Sequence, residues 1–284
     1  MIDYVKADLR NFTSFFSPDK YKTPPTLFDL AKNWQQKGLG IVSLTAAHSA
    51  TGKIDQRFQH YLNQANSSEG EYATQIHEGG RYITVFRQFD EISPALVILN
   101  SQQVRAYLGK DPVEVNILGI RSIVLPTRPL ADVLKEGRDT GGIVLLSHMG
   151  TRNGVPLEIA VDLFREGKVD GVEIGAYVPK IQQSHLNLFF DFGGIHAVPT
   201  SGGHSYKQAG KSYIDIPSDK LNHCLIDSLR EVVKTGSFKP HFGHIGFWSR
   251  AWNRDRHIIA GIPENFLANK TRREENARVL GLKK

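Results

Sequence analysis

Apolar residues fall along this chain in short runs, separated by stretches with helical spacing, and that alternation is the pattern of a parallel α/β protein. Runs at 5–9, 40–45, 95–99, 114–120, 142–147, 171–174 and 195–199 predict strands. The run at 40–45, with Ile41, Val42 and Thr45, has the β-branched content of a buried strand. A helix opens at Thr26, which can cap it with Asp29 three residues on. Leu27, Leu30, Ala31 and Trp34 then fall on one face, and Gly38 stops it. Residues 156–166 repeat the helical spacing through Leu157, Ala160, Val161 and Phe164, with Gly167 behind. Residues 220–234 do so through Leu221, Leu225, Leu229 and Val232. Residues 54–90 break the pattern. They are polar, contain Asn66-Ser67-Ser68-Glu69-Gly70, and read as an excursion, a hairpin over one end with 81–86 as one strand.

The length, 284 residues, suits one large α/β domain and is common among α/β barrels. The expectation is a single domain over 1–284, with the 54–90 excursion and a C-terminal helix at 263–284 that packs on the barrel exterior. Apolar residues make up 40% and charged residues 23%, an ordinary globular balance. No stretch approaches the roughly 20 consecutive apolar residues of a membrane span. Met1-Ile2-Asp3-Tyr4-Val5-Lys6 lacks the layout of a signal peptide. A cytoplasmic protein without a membrane partner is therefore expected. The single cysteine, Cys224, excludes an internal disulfide and a cysteine-cluster metal site. The net charge is +6, and residues 251–284 carry eight basic against four acidic side chains. That basic end reads as a solvated helix face; a polyanion-binding scaffold ranks behind it. Aromatic residues interleave it too thinly for single-strand binding, so nucleic acid is not an expected partner.

In parallel α/β folds the functional groups sit just beyond the carboxyl ends of the strands. Those positions hold Arg10, His48, the stretch 100–103 with Gln103, His148, Glu173 and His204. Such a ring at one barrel mouth would form a metal or phosphate site. His241-Phe242-Gly243-His244 also looks like a metal pair, but two histidines in a Gly-rich loop read better as loop structure.

The strand ends, taken in order, resemble the PHP family, the polymerase and histidinol phosphatase domain. Asp8-Leu9-Arg10-Asn11-Phe12-Thr13 stands where the family has Asp-Leu-His-x-His-Thr, and Thr23-Pro24-Pro25-Thr26-Leu27 matches its next turn. Leu44-Thr45-Ala46-Ala47-His48 stands at its Leu-Thr-Asp-His-Asn. Gly141-Gly142-Ile143-Val144-Leu145-Leu146-Ser147-His148-Met149-Gly150, Val169-Asp170-Gly171-Val172-Glu173 and Pro199-Thr200-Ser201-Gly202-Gly203-His204 match later elements, and the resemblance runs over roughly 5–240. It implies a distorted (β/α)7 TIM-like barrel of the PHP type and a metal-dependent hydrolase acting on phosphate or other esters. It also implies losses. The first ligand pair becomes Arg10 and Phe12, the Asp-His pair becomes Ala46 and Ala47, and Gln103, Asn116 and Gly202 stand at further ligand positions.

Two capacities follow for this depleted ring. His148 and His204, with Glu173, His48 or His244, would supply the three protein ligands of one divalent ion, zinc, manganese or iron. Glu173 would then be ligand or general base, and Arg10 would stabilise developing negative charge. The other capacity is metal-free: Arg10, His48, Gln103 and Asn116 would bind a small anionic molecule in a catalytically inactive pseudoenzyme. A trinuclear cluster is not expected, because a guanidinium about 4 Å from a cation opposes it by about 4 kcal/mol at an effective dielectric of about 20. Glu173 also has a purely structural alternative, an ion pair with an arginine such as Arg152. His48 falls one residue beyond the family's histidine, which would turn its side chain elsewhere.

Overall fold

The computed structural model describes residues 3–11, 25–47, 57–65, 72–87, 95–149, 154–176, 186, 193–202 and 208–243. Residues 1–244 form one compact unit and Ile245–Lys284 a second, and every described residue lies in the first. Phe12, His48, Arg152, Gly203, His204, His244 and the expected helix at 263–284 lie outside the described residues.

Nine strands follow one another in hydrogen-bonded order as a nearly closed barrel. They run β10 (Ala197–Thr200), β9 (Gly171–Gly175), β8 (Ile143–Leu146), β6 (Asp111–Leu118), β5 (Leu96–Leu108), β2 (Ile41–Ala47), β1 (Tyr4–Asn11), β11 (Tyr213–Pro217) and β12 (Lys239–His241). The seven from β10 to β1 form the barrel proper. Its ends meet just past β10, where the Gly202 N–H donates to the Arg10 carbonyl at 3.1 Å. Asp8 supports the closure by accepting from the Ser201 N–H (3.1 Å) and the Gly210 N–H (2.7 Å). Burial raises the Asp8 pKa, and those backbone donors oppose the rise.

The parallel pattern has one exception within the barrel. β6 runs antiparallel to both neighbours, β5 and β8. The reason is local: the β5–β6 connection is a two-residue turn at Gly109, whose φ is +63°, and so short a link joins only antiparallel strands. The strand expected at 95–99 therefore continues to Leu108, and the one expected at 114–120 begins at Asp111.

Helix α1 (Leu27–Gln36) forms as its pattern predicts. Thr26 and Asp29 make a capping box, and Leu27, Leu30, Ala31 and Trp34 are buried against β2 and β5. Helix α2 (Arg57–Gln64) and the antiparallel hairpin β3 (Tyr72–His77) and β4 (Tyr82–Arg87) lie within the 54–90 segment, and β4 pairs with the first half of β5. Its Arg81 reaches the far end of the barrel from His148, donating to the carbonyls of Gly119 and Gly141. Strand β7 (Arg128–Pro129) leads into helix α3 (Leu130–Asp139), and helix α4 (Leu157–Arg165) follows β8. The helix expected at 220–234 starts later, as α5 (Leu225–Thr235). The Asn222 side chain accepts the Cys224 N–H, and Leu221 is extended, so the helix cannot begin before that turn. No helix among the described residues is long and apolar enough to cross a membrane.

Strand alternation divides the barrel's contents. Val113, Val115, Ile117, Val144, Leu146, Val172 and Ile174 point outward to a core shared with α3 and α4. Ile41, Leu99, Leu118, Ile143, Leu145 and Val198 fill the interior toward one end. The same inward faces continue toward the other end as Gln103, Glu114, Asn116, Glu173 and Thr200. The floor is apolar and the mouth is polar.

Candidate functional site

Arg10 was expected just past the first strand, but it belongs to β1, and a bulge aims it. Asp8 pairs with Val42 and Asn11 with Leu44, so Leu9 and Arg10 together stand opposite the single residue Ser43. Strict alternation would put Arg10 on the outward face with Asp8. The extra residue turns it inward.

There the guanidinium is only 2% exposed. Its Nη1 donates to both oxygens of Glu173, at 2.9 and 3.1 Å, and its Nη2 lies 3.0 Å from His148 Nε2. Glu173, fully buried on β9, also accepts from the Thr200 hydroxyl (2.6 Å), the Asn116 amide (3.4 Å) and the His148 backbone N–H (3.4 Å). Burial alone would raise the Glu173 carboxyl, but the charges of Arg10 and His148 and the hydrogen bonds of Thr200 and Arg10 hold it below its ordinary value. The partner of Glu173 is thus Arg10. Its oxygens are already surrounded by donors.

The second half of the site centres on a residue the sequence reading passed over. Glu114, on β6, lies 2.6 Å from His148 Nε2 and accepts from Gln103 Nε2 at 2.6 Å. Arg105 Nη2 is 3.7 Å away on its other oxygen. Burial pushes the Glu114 carboxyl up, but the hydrogen bond and charge of His148, with Arg10 and Arg105, outweigh it and bring the pKa down to about 2. A carboxylate ionised at neutral pH only accepts, so the His148 Nε2–H is the donor between them. Gln103 Nε2 stands 2.8 Å from the same ring nitrogen. The signal for Glu114 was present: it precedes Asn116 by two residues, on one face of a strand whose other face is Val113, Val115 and Ile117. It became meaningful only once β6 was known to run antiparallel, which brings its early residues to the mouth.

His148 has a left-handed backbone, φ +57°, rare for a non-glycine and typical of constrained functional positions. Gly154 makes room for that turn. A Cβ there would lie 2.4 Å from the His148 carbonyl oxygen, a backbone atom that cannot swing away. Gly154→Ala is therefore expected to cost about 1–3 kcal/mol and to move the His148 ring resonances in an NMR spectrum. Unchanged resonances would show that this contact does not hold the turn.

The structure thus brings together Arg10, Gln103, Asn116, His148 and Glu173, while His48 and His204 lie outside the described residues. His241 stands elsewhere, on β12, paired with Asp215 at 2.7 Å and stacked on Tyr213. Gly202 has φ +54° and supplies the closing N–H to Arg10, a turn role.

Comparison with solved structures settles the architecture. The chain superposes on a two-domain protein of Bacteroides vulgatus described as containing a predicted PHP-like metal-dependent phosphoesterase, with TM-score 0.53 and 12% identity over 85% of this chain. The fold is that of the PHP-like barrels. The same fold relates it to the lesion-specific endonuclease PfuEndoQ of Pyrococcus furiosus (TM-score 0.54, 14% identity, 84% of this chain). PsfC of Pseudomonas syringae matches too, with TM-score 0.53 and 12% identity over 94% of this chain and 100% of PsfC. The chain spans 66% of the Bacteroides protein and 58% of PfuEndoQ. No family model matches the chain, and no curated protein matches it in sequence.

A PHP-type barrel raises the question of a metal. An ion bound by Glu173 and His148 would have to stand where the Arg10 guanidinium already touches both. Among the described residues, Arg10, Glu173 and His148 as arranged do not fit a divalent cation; His48, His204 and His244, the other expected ligands, lie outside them.

Proposed function

We propose that this PHP-type barrel takes a small anionic molecule at its mouth, held by Arg105 and His148, without a metal-activated water. The observation that carries the reading is the contact of Arg10 with both Glu173 and His148. It places a permanent positive charge in the ring and leaves the exposed groups to meet the ligand. Arg105 is 33% exposed and His148 19%, whereas Arg10 is almost wholly covered. Among the described residues of the ring, two arginines face two glutamates, so their charges balance. A planar guanidinium beside an imidazole suits a phosphate monoester or a carboxylate.

Calorimetry with inorganic phosphate, a small phosphate monoester and a small dicarboxylate tests this in chelator-treated protein. Binding of at least one probe is expected, weakened at least about tenfold by Arg105→Ala and by His148→Ala, the loss of one charge-assisted bond. Failure of every probe to bind, or affinity indifferent to both substitutions, would sink the proposal.

A second reading, metal-free ester hydrolysis, is favoured by the 2.6 Å contact of His148 with Glu114. A carboxylate that fixes an imidazole is the arrangement of a general base. Its mark would be turnover of an activated phosphate or carboxylate ester in excess chelator, abolished in His148→Ala. Absent turnover leaves the binding reading.

A further inference from the structure

We infer that the Arg10 guanidinium is the resident cation of this barrel, tethered where Glu173 and His148 would otherwise share a divalent ion, and that this one charge is what keeps metal out. The inference rests on the metal-free reading above and deepens it. The β1 bulge delivers the guanidinium to the centre of the ring, with Nη1 on both oxygens of Glu173 and Nη2 facing His148 Nε2. Glu114 stands 2.6 Å from the same nitrogen. One carboxylate and one imidazole therefore flank the Arg10 guanidinium, with the second carboxylate on that same imidazole.

The charges explain why a cation of some kind is required. Without Arg10, Glu173 is left as a buried carboxylate with no counter-ion, while Glu114 keeps Arg105 at 3.7 Å, and a divalent ion seated on Glu173 would restore the balance. Oxygen and imidazole donors of that number suit zinc or manganese. As the side chains stand, the guanidinium spaces Glu173 from the His148–Glu114 pair. No three His, Cys, Asp or Glu side chains among the described residues converge as a metal cage. The cage can form only when the arginine side chain is gone, because the guanidinium lies between Glu173 and His148.

The test compares the whole wild-type chain with Arg10→Ala and Arg10→Gln, each stripped with chelator and dialysed against zinc chloride or manganese chloride. Metal content is read by atomic emission and stability by the thermal midpoint. The expected result is about one equivalent of metal in both variants, the number a three-ligand site holds, with the midpoint raised by about 5 °C or more by the ion. Wild type should show neither. Adding Glu173→Gln to either variant should remove the bound metal. If Arg10→Ala does not fold, Arg10→Gln carries the test, since it keeps a donor for Glu173 while losing the charge. Folded variants that take no metal overturn the inference and leave the ligand-binding proposal standing. Failure of both variants to fold even with zinc present overturns it too, because the ion is claimed to replace the side chain. Metal bound by wild type and lost in Glu173→Gln overturns both the inference and the metal-free reading.

Discussion

Replacing Arg10 by alanine, in chelator, is expected to lower the free energy of unfolding by about 3–5 kcal/mol, the range for breaking a buried ion pair by removing one partner. The size comes from what is left behind. Glu173 is fully buried, and its carboxyl is held below its ordinary value first against burial and chiefly by the Arg10 charge. Without that charge the carboxylate keeps only the Thr200 hydroxyl, the Asn116 amide and the His148 N–H. It must take up a proton or remain a buried charge without its counter-ion, and either route is unfavourable. Urea unfolding checks the magnitude. A double variant, Arg10→Met with Glu173→Leu, should recover most of the loss, since apolar replacement of a buried pair is often neutral. A single-variant loss below about 1 kcal/mol, the level of an exposed pair, would mean that the ion pair is not closed in solution.

The second large effect is acid sensitivity through Glu114. Its folded pKa is about 2 against an ordinary 4.5, so its stabilisation is complete above about pH 4.5 and is lost as pH falls toward 2. A shift of that size corresponds to about 3 kcal/mol across the window. Glu114→Gln cannot ionise. It should be less stable than wild type at pH 7, with the difference closing by about pH 2. Denaturant unfolding from pH 7 down to pH 2 for both proteins reads it directly; parallel curves would show that Glu114 is not paired with His148. Asp8 and Asp170 belong to the opposite class, because burial raises both, so neither adds to acid sensitivity in that direction.

The PHP-type fold places these residues without supplying their chemistry. At 12–14% identity the likeness to the solved barrels is one of architecture. On the metal-free reading proposed above, the ring departs from a metal centre where Arg10 is turned inward. A cation tethered to the chain cannot exchange or activate a water as a metal ion does, but it needs no uptake from solution and holds Glu173 at every physiological pH.

Much of this was legible in the residues. Hydrophobic periodicity located α1 with its cap, and all seven runs expected as strands contain one, because a side chain's face depends on neighbours two, three or four positions away. The order of strand-end residues offered Arg10, Gln103, His148 and Glu173 as one candidate site, because a barrel converts sequence order into a ring, and the family resemblance added Asn116. Tertiary structure alone decided three things. A bulge opposite Ser43 turned Arg10 into the barrel, and no pattern of period two records an extra residue that its partner strand defines. The turn at Gly109 reversed β6, which lifted Glu114 from a strand boundary to the partner of His148. And the pairing of Arg10 with Glu173, 163 positions apart, joined two groups that the residues alone could offer only as separate catalytic candidates. Local pattern determines which face a side chain occupies; which charge it meets there depends on strands brought together only when the barrel closes.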